Sequence, residues 1–216
     1  YLGLLVSLPA WGVIMPFCMP FPQRVRFGVL SGWARFCLAW LRLTCGLGYR
    51  VEGLENLPRG TAAVVLAKHQ SAWETLALQA VLPAHTWVLK RELLYIPVLG
   101  WGLAMLGAVG IDRKAGRKAL HQVVVEGTDR LRRGIWVVVF PEGTRTAPGA
   151  KGQYNVGGAM LAVKSGYPVV PIAHNSGEFW PRRWWIKRPG EITLAIGPVI
   201  DVSGRKAGDV NAEAEA

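Results

Sequence analysis

The chain has 216 residues, enough for one domain with a proper core, and its formal net charge is +11 with a sequence pI of about 10.1. Hydrophobic residues make up 51%, Trp occurs ten times and mean hydropathy is +0.24, all high for a soluble enzyme, so membrane contact is expected. The odd set Cys18, Cys37 and Cys45 contains no C-x-x-C pair, which argues against a disulfide framework or a zinc site and leaves reduced thiols, buried or facing lipid.

The positive balance fits anionic lipid, phosphorylated substrates, an acidic protein or nucleic acid. Residues 1–21 carry no charge and contain Pro9, Pro16 and Pro20. The stretch is just long enough to span a bilayer, but its prolines favour an embedded helix that does not cleanly cross. The stretch shows no basic n-region and no small-residue cleavage pattern, so a cleaved signal peptide is not expected. The sequence opens at Tyr1, without Met and inside an apolar run, and a preceding residue or segment is expected.

A second helix is predicted from Gln23 to Leu47, ended by Gly46-x-Gly48. Arg24, Arg35 and Arg42 fall within roughly 20° of one another at about 100° per residue. Leu30, Phe36, Cys37, Leu38, Trp40, Leu41 and Leu43 surround that narrow stripe, the pattern of an interfacial helix facing anionic headgroups. A core helix with a solvated basic face is the plainer alternative.

Strands are predicted at Tyr49–Gly53, Ala62–Ala67, Thr86–Lys90, Ala108–Ile111, Ile135–Phe140, Pro168–Ala173 and Glu191–Ile196. Helices are predicted from Ser71 to Leu82, Trp101 to Leu106, Ala115 to Arg133 and Ala159 to Lys164. In the third of these, Leu120, Val123, Val124, Gly127 and Leu131 form one face, with Lys118, Gln122, Glu126 and Arg130 toward solvent. Ser203 to Ala216 is polar and expected to fray. The alternation defines an α/β fold with a mainly parallel sheet flanked by helices over residues 49–216. Residues 1–48 form a preceding membrane-associated two-helix segment.

The stretch Lys68-His69-Gln70-Ser71-Ala72-Trp73-Glu74 sits between a buried strand and a helix. His69 therefore belongs to a turn at the carboxyl end of a parallel strand, the edge where open α/β sheets bind ligands. Imidazole is a general base near neutral pH, and a carboxylate on one ring nitrogen fixes its tautomer. Glu74 can supply that carboxylate. Ser71-x-x-Glu74 is also a capping box, so Glu74 has a purely structural alternative.

Three more stretches are expected at the same edge: Gly110-Ile-Asp-Arg113, Phe140-Pro-Glu-Gly-Thr-Arg145 and Val169-Val-Pro-Ile172. Arg113, Arg145 and Lys90 then face one cleft with His69, a set suited to an anion. Gly143 lets backbone approach that anion closely. Each cation taken alone is more often a solvated surface group.

These stretches, KHQSAWE, GIDR, FPEGTR and VVPI, resemble the four ordered blocks of the glycerolipid acyltransferases. The nearest resemblance is to the bacterial 1-acyl-sn-glycerol-3-phosphate (lysophosphatidate) acyltransferases, over residues 50 to 175. The resemblance implies that His69 deprotonates the sn-2 hydroxyl of a lysophospholipid, which attacks an acyl-CoA or acyl-acyl-carrier-protein thioester. It implies Glu74 as orienting acid and Lys90, Arg113 and Arg145 as phosphate ligands. Glu142 and Thr144 hold the loop or the glycerol moiety. No metal and no redox cofactor is implied, and no Gly-x-Ser-x-Gly elbow offers an acyl-enzyme nucleophile. The implied partners are the bilayer, lysophosphatidate and the acyl thioester, with no nucleic acid. The implied location is the bacterial inner (cytoplasmic) membrane with the catalytic domain facing the cytoplasm.

Two departures from the family pattern stand out. The first block usually carries Asp where this chain has Glu74, one methylene longer. A basic residue is common shortly after the FPEGTR block, where Tyr154-Asn155 stands here, and no phosphate ligand is assigned there. Phe179 to Gly190 adds Trp180, Trp184 and Trp185 among Arg182, Arg183, Lys187 and Arg188. This is an interfacial anchor, or a basic loop with its tryptophans packed inward. Two other functions fit the same residues: acylation of another lyso-lipid such as lyso-ornithine lipid, and a non-catalytic basic membrane-surface or nucleic-acid-binding module. The chain shows no nucleic-acid motif.

Overall fold

The chain folds in order as α1 (Leu2–Cys18), α2 (Gln23–Cys45), β1 (Leu47–Glu52), β2 (Val64–Ala67), α3 (Trp73–Val81), β3 (His85–Lys90), α4 (Leu99–Met105), β4 (Val109–Ile111), α5 (Arg117–Arg132), β5 (Trp136–Val139), α6 (Gly157–Ser165), β6 (Val169–His174), α7 (Ser176–Phe179), β7 (Gly190–Ile196) and α8 (Ala207–Glu215). The computed structural model describes residues 2–150, 152–182 and 186–216.

The strands form one sheet in the order β1-β7-β6-β2-β5-β3-β4. Neighbours pair in parallel except β6 with β7. Thus β2 to β6 all point one way, while β1 and β7 point the other. The carboxyl ends of β2, β3, β4, β5 and β6 share one edge, as expected of a mainly parallel sheet. Strands β2 and β5 are buried at every position, which suits their unbroken Val and Leu runs. Pro171 sits inside central strand β6. It is tolerated there because β7 pairs only from Ile172 onward, while the Pro171 carbonyl accepts from Gly197 N–H at 2.9 Å.

The N-terminal helices share this core. Met15, Leu30, Leu38 and Leu41 are buried in one cluster with the sheet residues. Helix α2 ends at Gly46 in the left-handed conformation, and β1 starts at Leu47, two residues before the expected strand and ahead of the expected boundary at residue 48. Among the described residues, no helix is long and apolar enough to cross a membrane. Cys18 and Cys37 are buried, and burial pushes the Cys37 thiol up to about 11 despite a hydrogen bond from Ser7.

Several expectations are corrected. Ser203 to Ala216 is not frayed: α8 buries Ala207 and Val210, and Arg205 Nη2 pairs with Glu213 Oε2 at 2.6 Å. An apolar stripe of Ala and Val is enough to dock a helix, and its small side chains were masked by the polar composition. Gln122 and Arg130 of α5 do not simply face solvent. They donate to the carbonyls of Gly110 (3.2 Å) and Gly107 (3.1 Å), tying α5 to β4 and to the turn before it. Helix α4 begins at Leu99 rather than Trp101, after a 3₁₀ turn over Arg91–Tyr95. Val169–Ile172, expected at the site edge, lies inside strand β6, and the residues this strand delivers to that edge are His174 and those after it.

Candidate active site

His69 and Glu74 are joined across the turn between β2 and α3. His69 Nδ1 lies 2.7 Å from Glu74 Oε1. The carboxylate can only accept, so Nδ1 carries the hydrogen and Nε2 is left to take a proton. The capping function coexists with this one. Ser71 N–H donates to both Glu74 oxygens (3.0 and 2.9 Å) and Gln70 N–H donates to Oε1 at 3.2 Å. The reciprocal half of the box is replaced: Ser71 Oγ accepts from Trp73 N–H at 3.1 Å. The extra methylene of Glu74 is thus absorbed by a carboxylate that reaches back over its own helix start.

Glu74 is fully buried. Burial pushes its pKa up, but the hydrogen bonds from His69 and the Ser71 N–H outweigh that and hold it below the ordinary carboxylate range. The His69 ring is stacked on Phe140 with centroids 4.2 Å apart, and Phe140 on Trp87 at 5.8 Å. The three rings restrain the imidazole plane.

His69 lines a cavity of about 340 Å³ together with Lys90, Arg113 and Arg145. The far wall is apolar and comes from α1, α2 and α4 with its C-terminal cap: Met15, Leu30, Trp33, Leu99, Leu103 and Leu106 among others. Arg113 donates to the Gly143 carbonyl, so it binds the loop after β5 as well as facing the cavity. It also borders a second cavity of about 290 Å³ that shares Val88 and Phe140 with the first. Lys90 is half exposed and pairs with Glu92 at 3.2 Å.

The remaining expected residues divide. Glu142 is buried and holds the loop: its Oε2 accepts from His69 N–H at 2.7 Å and its Oε1 from Thr146 Oγ1 at 3.0 Å, with Lys68 Nζ at 3.5 Å. Gly143 takes a positive φ of 67°, a turn only glycine adopts readily. Thr144 is exposed, and Thr146 is the threonine that joins Glu142 to the His69 carbonyl. Tyr154 and Asn155 serve the same loop. Asn155 Nδ2 and N both donate to the Pro141 carbonyl at 2.8 Å, and burial, reinforced by Glu142 and Glu215, raises the Tyr154 phenol to about 12. In the Phe179–Gly190 segment Trp180 packs inward, with Lys187 Nζ 4.3 Å above its ring. Arg183, Trp184 and Trp185 lie outside the described residues.

Lys68, Gln70, Thr146, His174 and Ser176 were missed by sequence reasoning. Gln70 Oε1 accepts from Gly177 N–H at 3.2 Å, binding the His69 turn to α7. The signal for His174 and Ser176 was the polar triplet His174-Asn175-Ser176 at the end of a buried strand, a pattern that marks an edge residue without naming its partner.

Known proteins share the sequence pattern and the fold of this chain. A family profile described as Acyltransferase matches residues 48–175. The chain is 44% identical over 222 residues to a 1-acyl-sn-glycerol-3-phosphate acyltransferase of Pseudomonas aeruginosa, covering 100% of this chain and 86% of that one. It is 31% identical over 183 residues to the 1-acyl-sn-glycerol-3-phosphate acyltransferase alpha of Ovis aries, covering 84% and 64%. The fold matches the crystal structure of the 1-acyl-sn-glycerophosphate (LPA) acyltransferase PlsC from Thermotoga maritima with a TM-score of 0.78 and 26% identity, over 95% of this chain and 84% of that one. With the profile spanning well over half of its length and the bacterial relative all of it, the chain belongs to the acyltransferase family of enzymes.

Proposed function

We propose that the protein transfers a fatty acyl group from acyl-CoA or acyl-carrier protein to the sn-2 hydroxyl of lysophosphatidate, giving phosphatidate. The observation that carries this reading is the shared cavity: His69, backed from behind by Glu74, opens onto the same space as three cations and an apolar wall. The names of the similar enzymes support the same acceptor.

In this reading His69 Nε2 takes the hydroxyl proton as the oxygen attacks the thioester carbonyl. The C–O bond forms, the C–S bond breaks, and the imidazolium returns its proton to the leaving thiolate. Glu74 stabilises the imidazolium through Nδ1–H. Lys90, Arg113 and Arg145 bind the acceptor phosphate, and the apolar wall receives an acyl chain. Glu142 holds the loop that places Gly143 and Thr144 at the glycerol end. The thioester is a co-substrate, and no metal or redox cofactor enters the reading.

The proposed location is the cytoplasmic face of a bacterial inner membrane, with α1 and α2 lying in the interface. Val13, Phe17, Phe21, Val25 and Leu43 are exposed on these helices and the connection between them, and Arg24, Arg35 and Arg42 are exposed on α2.

The test is thioester release in detergent micelles, with each donor, with and without lysophosphatidate, in wild type and His69→Ala. Acceptor-dependent release that disappears in the variant supports the reading. Release without acceptor identifies a thioesterase, and release only with a different lyso-acceptor replaces the substrate. Flotation with anionic vesicles tests the location.

A further inference from the structure

Glu74 owes its reach to a side chain with three torsions, and the N–H groups that hold it belong to its own turn. They would follow the carboxylate if that turn shifted. One donor comes from elsewhere. Ser176 Oγ, at the junction of β6 and α7 and 102 residues away in sequence, lies 3.1 Å from Glu74 Oε2. Ser176 is completely buried and no substrate in the cavity can reach it.

Ser176 is itself held. Its Oγ is 3.0 Å and its N 3.4 Å from His174 Nδ1, and His174 Nε2 is 2.9 Å from the Lys68 carbonyl. A carbonyl oxygen only accepts, so the neutral His174 ring carries its hydrogen on Nε2 and offers Nδ1 as an acceptor. The Ser176 N–H points at that acceptor, and the single hydroxyl hydrogen goes to the carboxylate, the stronger acceptor. Burial, against the pull of Glu74, holds His174 below the ordinary histidine range, consistent with the neutral ring. The contacts close a ring: His69 side chain, Glu74, Ser176, His174, the Lys68 carbonyl and the peptide bond back to His69.

We propose that Ser176 and His174 are positioning residues for the acid–base pair. Ser176 fixes the Glu74 carboxylate in the rotamer that reaches His69, and His174 fixes both Ser176 and the backbone just before His69. The inference rests on the reading of His69 and Glu74 as the acid–base pair, and it adds a third and fourth residue that act only through them.

The test compares wild type, Ser176→Ala, Glu74→Gln and the double variant in the micelle assay. Ser176→Ala is expected to lower kcat about 10- to 100-fold, the range of a hydrogen bond to a charged group, with KM changed by less than about twofold. In the Glu74→Gln background the same change is expected to cost less than about twofold, because a residue acting through Glu74 has nothing left to position. A kcat within twofold of wild type, or a full loss repeated in the Glu74→Gln background, overturns the proposal. Ser176→Cys, nearly the same size with a poor donor, replaces the alanine variant if that one does not fold. The His69 Nδ1–H proton resonance, recorded without substrate, gives a reading independent of turnover. It is expected to move or broaden in Ser176→Ala, and an unchanged resonance overturns the proposal. Should wild type fail to acylate lysophosphatidate, the acceptor assignment falls while this resonance still decides the positioning role.

Discussion

Glu74 Oε1 stands 2.7 Å from His69 Nδ1, and the same carboxylate closes the start of α3 through the Ser71 N–H. One side chain thus serves the helix terminus and the imidazole together. Glu74→Gln keeps the size but presents an amide N–H₂ to buried donors. It is expected to destabilise the fold by about 1–3 kcal/mol, the cost of an unsatisfied buried group, and to lower kcat as well. His69→Ala is expected to lower kcat by about 10²–10⁴-fold and to cost less stability than Glu74→Gln, since Glu74 loses one donor but keeps those of Ser71, Gln70 and Ser176. Thermal unfolding and turnover measured on both variants separate the two roles.

The three cations are not equivalent. Arg145→Ala is expected to raise KM for lysophosphatidate about 10- to 100-fold with kcat nearly unchanged, as loss of a charge-assisted bond to the phosphate predicts. Lys90→Ala is expected to do less, since Lys90 is half exposed and already paired with Glu92. Arg113→Ala is expected to affect kcat as well, because it also frees the Gly143 carbonyl. Steady-state kinetics with lysophosphatidate and with a monoacylglycerol lacking the phosphate check this: the Arg145 effect should vanish with the second acceptor.

Glu142 fixes the backbone of the base rather than the substrate. Glu142→Ala leaves the His69 N–H without its 2.7 Å acceptor and unties Thr146. The expected outcome is a loss of about 1–3 kcal/mol in stability, with kcat lowered for every acceptor alike. Thr146→Val is expected to cost about 1 kcal/mol or less. Chemical denaturation and an acceptor panel distinguish this from a ligand role.

Stability should fall below neutral pH because of a histidine buried behind Trp87 of the cavity wall. His85 is fully buried, its Nδ1 2.9 Å from the Pro83 carbonyl, its Nε2 unpaired and its ring edge-on to Phe27 and Trp87. Burial, against the Pro83 hydrogen bond, lowers its pKa from 6.5 to about 4. Below pH 6.5 the unfolded chain therefore binds a proton that the folded chain refuses. The stability contribution is complete above 6.5 and is lost as pH falls toward 4, by about 3 kcal/mol in total. His85→Phe keeps the ring contacts and should flatten that part of the curve. Urea unfolding of both proteins between pH 8 and pH 4 measures it.

Element types and their order were legible in the chain because they follow from short-range rules. Val64–Ala67 and Trp136–Val139 are unbroken buried runs, and Gly46 and Gly166 end their helices in the left-handed conformation. The His69 turn was legible for the same reason, since a strand, a cap and an apolar helix lie within a dozen residues. Arg113, Arg145 and Lys90 could be placed at one edge because parallel strands end together.

Which residue touches which was decided by the sheet order. Strand β2 lies between β6 and β5, and only that arrangement brings Ser176 to Glu74 and Glu142 to the His69 backbone across 102 and 73 residues. Neither pairing has a local period or spacing. The same holds for Trp180, which an amphipathic reading cannot assign to lipid or core, and for α8, whose Ala and Val stripe gains its meaning from the α6 and β6 surfaces it covers. The elements, the strand edge and the chemistry of the residues placed there could be read along the chain, because backbone geometry and hydrophobic periodicity act over a few residues. The division of labour at that edge, between the groups that meet the cavity and those that hold them from behind, was decided only by long-range packing.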